Sequence, residues 1–228
     1  MTTEVQLVGM TTPSATTGCN SANELIAYAA RVSNPGNQNN ERTAPKLLKY
    51  LIRENHWSPF EMVSVTMEIK TTRDISRQII RHRSFSFQEF SQRYAEANDF
   101  IVDREARTQH PTNRQLSLTF ENENEQRRVQ EKFNMLQSRV VRQSQDAYQE
   151  ALNSGVAKEQ ARALLPEGLT ETTLYMAGTL RSWIHYCDLR RGHGTQSEHI
   201  EVADKCWDVL STHFPDVIKA VERVESNA

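Results

Sequence analysis

The 228-residue chain carries 27 Lys+Arg against 29 Asp+Glu, a formal net charge of -2, so no overall basic field draws it to nucleic acid and any anion site must come from local clustering. Apolar residues at 37% suffice for a buried core, and no run approaches the ~20 apolar residues that span a bilayer. The three cysteines, Cys19, Cys187 and Cys206, form no CxxC pair, which argues against a disulfide framework or zinc knuckle; with an N-terminus too short and too polar for a signal peptide, a soluble protein of the reducing cytoplasm is expected.

Residues 5–10 read as a short strand. In 22–32, Leu25, Ile26, Ala29 and Ala30 recur at helical spacing, and 44–52 is helical again before the Ser58-Pro59 step forces a turn. Over 62–69, Val63, Val65, Met67 and Ile69 alternate with Ser64, Thr66 and Glu68, the pattern of a half-buried strand. Residues 74–81 read as a short helix with Ile75 and Ile79 one turn apart, and 108–117 as a polar, irregular surface loop. The longest helix is expected over 123–154, with Val129, Phe133, Leu136, Val140, Tyr148 and Leu152 as its apolar stripe and Gly155 at its C-terminal cap. A short helix reaches Leu165 and stops at Pro166. Residues 172–180 read as strand, 181–189 as helix, and 202–212 and 215–224 as two closing helices. Strands are few, do not alternate with helices as βαβ units do, and none is followed by GxGxxG. The expected fold is α+β: a single domain over 1–228, with a small, mainly antiparallel sheet flanked by helices, one of them long.

Residues 73–94, RDISRQIIRHRSFSFQEFSQRY, concentrate the chemistry. Arg73, Arg77 and Arg81 fall four apart, on one side of a helix, where like charges cost roughly 0.2–0.5 kcal/mol per pair. A local cost without local compensation often marks a site. His82, Arg83, Ser84, Ser86, Ser91 and Arg93 follow; arginine forks bind phosphate oxygens in pairs and serine hydroxyls add neutral donors. Phe85, Phe87, Phe90 and Tyr94 interleave and are placed to wall a planar ring. Two other readings stand beside this one. A solvated basic face with core aromatics is the plainest. An RNA- or nucleotide-binding module that stacks bases on 73–94 is the other, weakened by the near-neutral chain.

The order of residues is more specific than their composition. Arg81-His82-Arg83 followed by Ser91-x-Arg93 resembles the signature of the flavin-dependent thymidylate synthases, the ThyX family. His56-Trp57-Ser58-Pro59-Phe60-Glu61 resembles that family's His-x-Ser/Thr-Pro-Phe-Glu segment, and Ala30-Arg31-Val32-Ser33 an early motif. Arg162-Ala163-Leu164-Leu165-Pro166 and Leu180-Arg181-Ser182 through Leu189-Arg190 are similar to later ones, so the resemblance runs from near Ser33 to about Glu198.

The resemblance implies a reaction: deoxyuridylate (dUMP), 5,10-methylenetetrahydrofolate and NADPH giving thymidylate, with FAD as bound cofactor. It also implies residues. The dUMP set is Gln78, Arg81, Glu89, Ser91, Arg93, Arg162 and Arg190, with Arg162 supplied by another subunit and Glu89 acting through its backbone N–H. The FAD set is Ser58, Glu61, Arg81, His82, Arg83, Glu89, Thr179, Arg181 and His185, and His56 lies near the folate. Arg190 is the expected catalytic residue, a permanent cation facing charge that develops on the uracil ring. Read alone, Arg162 and Arg190 are helix-end cations and His56 a polar loop residue. No enzyme nucleophile is required: Cys187 and Cys206 sit in apolar helical stretches, and Ser91 has no evident partner base. The family further implies a homotetramer with shared sites, acting on small molecules rather than a nucleic-acid polymer or a membrane. Gln88, Thr179, His185 and Gly194 depart from the family's usual residues and leave the flavin contacts there open. A metal pair of His193 and His199 lacks a carboxylate or cysteine at ligand spacing, so no metal is expected.

Overall fold

The computed structural model describes residues 3–192 and 194–225. Strand β1 (Glu4–Met10) is followed by helices α1 (Ala22–Ala30) and α2 (Ala44–Arg53), strand β2 (Ser64–Thr72), helix α3 (Arg73–Ile79) and strand β3 (Phe85–Glu89). Two short strands, β4 (Thr108–Gln109) and β5 (Ser117–Leu118), precede the long helix α4 (Glu123–Asn153) and the single turn α5 (Lys158–Ala161). Strand β6 (Glu171–Thr179) and helices α6 (Leu180–Arg191), α7 (Ser197–His213) and α8 (Pro215–Glu225) complete the described chain. The class is the expected one, α+β with an antiparallel sheet and one long helix.

The main sheet runs β1-β2-β6-β3 and is antiparallel throughout. Along β2, Val65, Met67 and Ile69 are fully buried while Ser64 and Lys70 are exposed; along β6, Thr172, Leu174 and Met176 are buried and Glu171 and Tyr175 exposed. This is the period-two burial of a sheet with one covered face. The cover comes from α6 and α7, whose Trp183, Tyr186, Cys187, Val202, Cys206 and Leu210 join the strands in one core; the Trp183 indole donates to the Val65 carbonyl at 3.0 Å. β2 starts two residues later than its apolar alternation suggested, because Ser58–Met62 forms a 3-10 turn, and it runs on to Thr72 because pairing with β6 continues.

Three expectations are corrected. The first is β3, absent from the sequence reading. Its residues alternate in burial, and Gly178 of β6 makes room for it: a Cβ there would fall 2.4 Å from the Phe85 ring. The second is 108–117, which is a closed hairpin rather than an irregular loop: Thr108 and Gln109 pair with Leu118 and Ser117, and the His110 ring Nδ1 accepts from the Thr112 and Asn113 amides at 3.2 and 3.0 Å.

The third concerns α4. Its ends are as expected: Gly155, at φ 83°, follows the last turn, with the Gly155 amide donating to the Leu152 carbonyl at 2.9 Å and Val156 to Ala151 at 3.0 Å. Its apolar stripe is only partly the buried face: Tyr148 is buried and Val129, Phe133 and Leu152 are half-buried, but Leu136 and Val140 are exposed, as is Met135. The inward face carries Gln126, Gln130 and Gln137 above Val141 and Tyr148. These glutamines stand in for a neighbouring strand. The Arg104 amide donates to Gln137 Oε1 at 2.9 Å, and the Arg104 carbonyl accepts from Gln130 Nε2 at 2.9 Å and Gln137 Nε2 at 3.1 Å. The Ala106 amide donates to Gln130 Oε1 at 2.7 Å, and its carbonyl accepts from Gln126 Nε2 at 3.1 Å. The backbone groups of Arg104 and Ala106, which lie outside any strand, are thus satisfied by side-chain amides, as burial requires.

Candidate active site

Helix α3 stops at Ile79, short of the expected 74–81, which leaves Arg81, His82 and Arg83 in the turn leading to β3. The three spaced arginines therefore do not form one solvated face. Arg73 is buried, Arg77 is exposed and pairs with Glu167 at 3.2 Å, and Arg81 lies beyond the helix end. Arg81 and Arg83 are exposed and, among the described residues, carry no ion pair.

His82 turns inward. Its ring lies edge-on to Tyr186 with centroids 4.9 Å apart, and its Nε2 is 2.9 Å from Nε of Arg190, in the last turn of α6. A guanidinium only donates, so His82 accepts through a bare Nε2 and is neutral. Burial, and then the Arg190 charge, push the His82 pKa below its ordinary 6.5. Gln78 lies beside this pair: its Nε2 donates to Gln196 Oε1 at 2.8 Å, and its Oε1 is 3.3 Å from His199 Nδ1. The structure brings Gln78, His82 and Arg190 into one cluster.

A second cluster lies at the other end of α6. After α2, Asn55 takes a left-handed φ of 57°, the Asn55 amide donates to the Ile52 carbonyl at 3.1 Å and the His56 amide to Leu51 at 2.8 Å, so the chain reverses directly into the Ser58–Met62 turn. That turn packs on α6. Glu61 pairs with Arg181, and Trp57 stacks edge-on against His185 at 4.7 Å. The Thr179 hydroxyl caps α6 by accepting from the Ser182 amide at 3.2 Å. Burial, and then Arg181, lower the His185 pKa. Ser58 is exposed on the turn, while His56 is exposed with its ring 6.1 Å from Tyr50, outside this set of contacts.

A third cluster follows β3. The Glu89 carboxylate is committed to the fold: its Oε1 accepts from Ser76 Oγ at 2.8 Å and Thr172 Oγ1 at 3.0 Å. Ser91 Oγ accepts from the Arg93 amide at 3.4 Å. Arg93 and Arg162 both meet Glu159, Arg93 through the carboxylate at 3.2 Å and Arg162 through the carbonyl at 3.2 Å. Beside them opens a cavity of about 410 Å³ lined by Arg73, Arg77, Arg162, Gln92, Glu159 and Thr170, among others. The Arg73 Nη1 at its edge is buried and 3.6 Å from Glu89, too far for a hydrogen bond, so it has no hydrogen-bond partner.

The expected dUMP residues therefore fall into two groups at opposite ends of β3, a strand of about 13–17 Å: Gln78, Arg81 and Arg190 with His82 towards its start, Glu89, Ser91, Arg93 and Arg162 towards its end. The aromatic wall is only partly as expected. Phe85 and Phe87 are half buried against the core, with Phe85 edge-on to Trp183 at 5.0 Å, and only Phe90 and Tyr94 are exposed.

Sequence reasoning gave no role to Tyr186, Gln196 or Glu198 and considered His199 only as a metal ligand; the four form a hydrogen-bonded set with Gln78. One signal was present: His199 falls in step with Val202, Ala203, Cys206 and Leu210, so a polar residue occupies the apolar stripe of α7. The metal pairing of His199 with His193 falls partly outside the described residues, since His193 is not among them. His199 itself is buried and bonded to Tyr186 and Gln78. Cys187 and Cys206 are fully buried, and burial pushes both thiols up, so neither offers a thiolate. No described helix is long and apolar enough to cross a membrane.

Comparison with known proteins turns these clusters into a family assignment. Residues 15–216 match the family model for thymidylate synthase complementing protein. A probable flavin-dependent thymidylate synthase of Paramecium bursaria Chlorella virus 1 is 48% identical over 96% of this chain and 99% of its own length. The flavin-dependent thymidylate synthase of Synechocystis sp. is 50% identical over 87% of this chain and 88% of its own. Among solved structures, the UMP/dUMP methylase PolB from Streptomyces cacaoi, bound with 5-Br dUMP, superposes with a TM-score of 0.80 at 26% identity, covering 97% of this chain and 95% of that one. The chain belongs to the flavin-dependent thymidylate synthase family.

Proposed function

We propose that this chain, acting as one catalytic domain in the cytoplasm, converts dUMP to thymidylate, with 5,10-methylenetetrahydrofolate as carbon donor, FAD as flavin and NADPH as reductant. In balance, dUMP, methylenetetrahydrofolate, NADPH and one proton give thymidylate, tetrahydrofolate and NADP⁺. The observation that carries the reading is the meeting of Arg190 with the neutral His82: two motifs 108 positions apart converge on one cation held at fixed orientation. As the uracil ring gains electron density at C6, negative charge moves toward its carbonyl oxygens. Arg190 is the preorganised charge that stabilises it. The flavin, when bound, supplies hydride.

The residues present fit such a group. Arg81 and Arg83, exposed and free of ion pairs among the described residues, suit a pyrophosphate, as forks suit phosphate oxygens. Ser58, Glu61, Thr179, Arg181 and His185, converging at the start of α6, would hold the flavin with His82 and Glu89. His56 would face the folate. Ser91, Arg93 and Arg162 would take the dUMP phosphate beside the arginine-lined cavity, where several donors offset the hydration a dianion gives up. Gln78, Arg81 and Arg190 would meet the uracil half.

The proposed assembly is a homotetramer with shared sites. Its support is the division of the dUMP residues between the two ends of β3, together with exposed Met135, Leu136 and Val140 on α4, an apolar row that a lone chain would leave to water. The purified protein tests the proposal directly. It should be yellow, and should make thymidylate only when NADPH, methylenetetrahydrofolate and dUMP are all present. A colourless protein that makes none and instead retards RNA would overturn the reading in favour of a binding module.

A further inference from the structure

We infer that Glu198, Gln196 and His199 are positioning residues that lock the amide of Gln78 in one orientation, through a hydrogen-bond chain that can run in only one direction; the inference rests on Gln78 being the nucleotide contact proposed above. The chain begins at an acceptor. Glu198 is 8% exposed, and Arg107 and Arg104 approach its two oxygens, Arg104 at 3.6 Å. Burial alone would raise its pKa, but the hydrogen bonds from Gln196 and its own backbone, with the two arginines, hold it below the usual carboxylate range.

An ionised carboxylate only accepts. Gln196 must therefore turn its Nε2 to Glu198 Oε2, at 2.8 Å, which leaves its Oε1 facing Gln78. Gln78 must then donate from Nε2, at 2.8 Å, and present Oε1 to His199 Nδ1 at 3.3 Å. For that contact to be a hydrogen bond, His199 carries its single proton on Nδ1. The bare Nε2 takes the Tyr186 hydroxyl at 3.0 Å, closing the chain in the core, where His199 is 0% and Tyr186 2% exposed. Burial first, then Arg190 and His82, depress the His199 pKa to about 3, so the imidazole stays neutral and can hold one tautomer. With both inner bonds made, Gln78 has one N–H and one carbonyl lone pair left for a ligand, and neither can exchange place with the other. Were the Gln78 amide to flip, both of its inner bonds would be lost, its Oε1 facing the Gln196 Oε1 and its Nε2 facing the protonated Nδ1 of His199.

The test uses the full-length, flavin-loaded protein with ¹⁵N-labelled histidine. His199→Gln identifies the His199 signals in the nitrogen spectrum. The expected result is the Nδ1-protonated tautomer, unchanged across neutral pH. In Gln196→Met, which keeps the length but removes both bonds and leaves the arginine–Glu198 pairs alone, the KM for dUMP should rise roughly tenfold, the size of one lost hydrogen bond. NADPH oxidation by the bound flavin should not change. Glu198→Gln, whose amide can point either way, should give a mixture of His199 tautomers. An Nε2-protonated or cationic His199 in the unaltered protein overturns the inference, as does an unchanged KM in Gln196→Met. The tautomer is read without nucleotide. Failure to bind dUMP would therefore sink the functional proposal alone, and a wrong tautomer in an active enzyme would sink only the relay.

Discussion

Nε of Arg190 and Nε2 of His82 stand 2.9 Å apart, and the bond between them can form only while the histidine is neutral. Each residue thus constrains the other. Burial, and then the Arg190 charge, disfavour a second proton on His82, and the His82 Nε2 in turn anchors the guanidinium through its Nε.

Arg190→Lys should separate chemistry from binding. The lysine keeps the charge but lacks the planar fork and the Nε that meets His82. Flavin and dUMP should stay bound and NADPH should still bleach the flavin under anaerobic conditions, while thymidylate formation falls by at least ~10²-fold. Near-normal product formation would reduce Arg190 to a helix-end cation.

Arg93→Ala addresses the other end of β3. The side chain is 56% exposed, so its pair with Glu159 is worth little to stability, and the protein should fold normally. Nucleotide affinity should fall by about 1.5–3 kcal/mol, the loss of a charge-assisted contact, with flavin retained. Isothermal titration with dUMP that shows unaltered affinity would remove Arg93 from the phosphate site.

Stability should decline in acid for a reason seated at His199. Its pKa is depressed from the ordinary 6.5 to about 3, so between those values the unfolded chain binds a proton that the folded chain does not. The contribution is full above pH 6.5 and is lost as pH falls through that window, at about 1.4 kcal/mol per pH unit for one such group. His82 and His185, also lowered, act in the same sense. Urea midpoints measured from pH 7.5 down to 5 should drop steeply for the unaltered protein and more gently for His199→Asn. Parallel slopes would contradict the assignment.

Gln137→Leu tests the glutamine face of α4. The substitution is apolar and close in size, yet it strips the Arg104 amide of its acceptor and the carbonyl of one donor. We expect a loss of about 1–3 kcal/mol, as for a buried group left unpaired. Hydrogen exchange at the Arg104 amide should quicken by far more than exchange in the α4 backbone; equal protection in both proteins would mean that the clamp does not hold the segment.

What could be read from the sequence depended on how far each pattern extended. Val63 to Ile69 alternates over seven positions with a uniformly apolar face, and the strand there was found. β3 alternates over only five, with Glu89 as one of its inward residues, so its arginine-rich flanks outweighed its period. The motif residues of the candidate site were legible because their order is specific, but their separation along β3 was not, since it follows from a strand that went unread. The buried side of α4 was only partly legible for a physical reason: Met135, Leu136 and Val140 face outward although Val141 and Tyr148 are buried, and amide side chains satisfy the backbone packed beneath them. His199 was weighed only as a metal ligand, because a lone histidine in an apolar stripe declares its burial but not its partners.

Helix α6 carries Arg181 at its start and Arg190 nine positions later, an interval of about 13.5 Å and two and a half turns. Arg181 and His185 accordingly face the Ser58–Met62 turn, while Tyr186 and Arg190 face His82 from a different side of the same cylinder. The helix works as a gauge. Its exposed Asp188 and Leu189 can change identity without disturbing either end, but inserting or deleting one residue between Arg181 and Arg190 would swing them about 100° relative to each other. One of the two would lose its partner outright, so the count of residues in this helix is as binding a requirement as the arginines themselves.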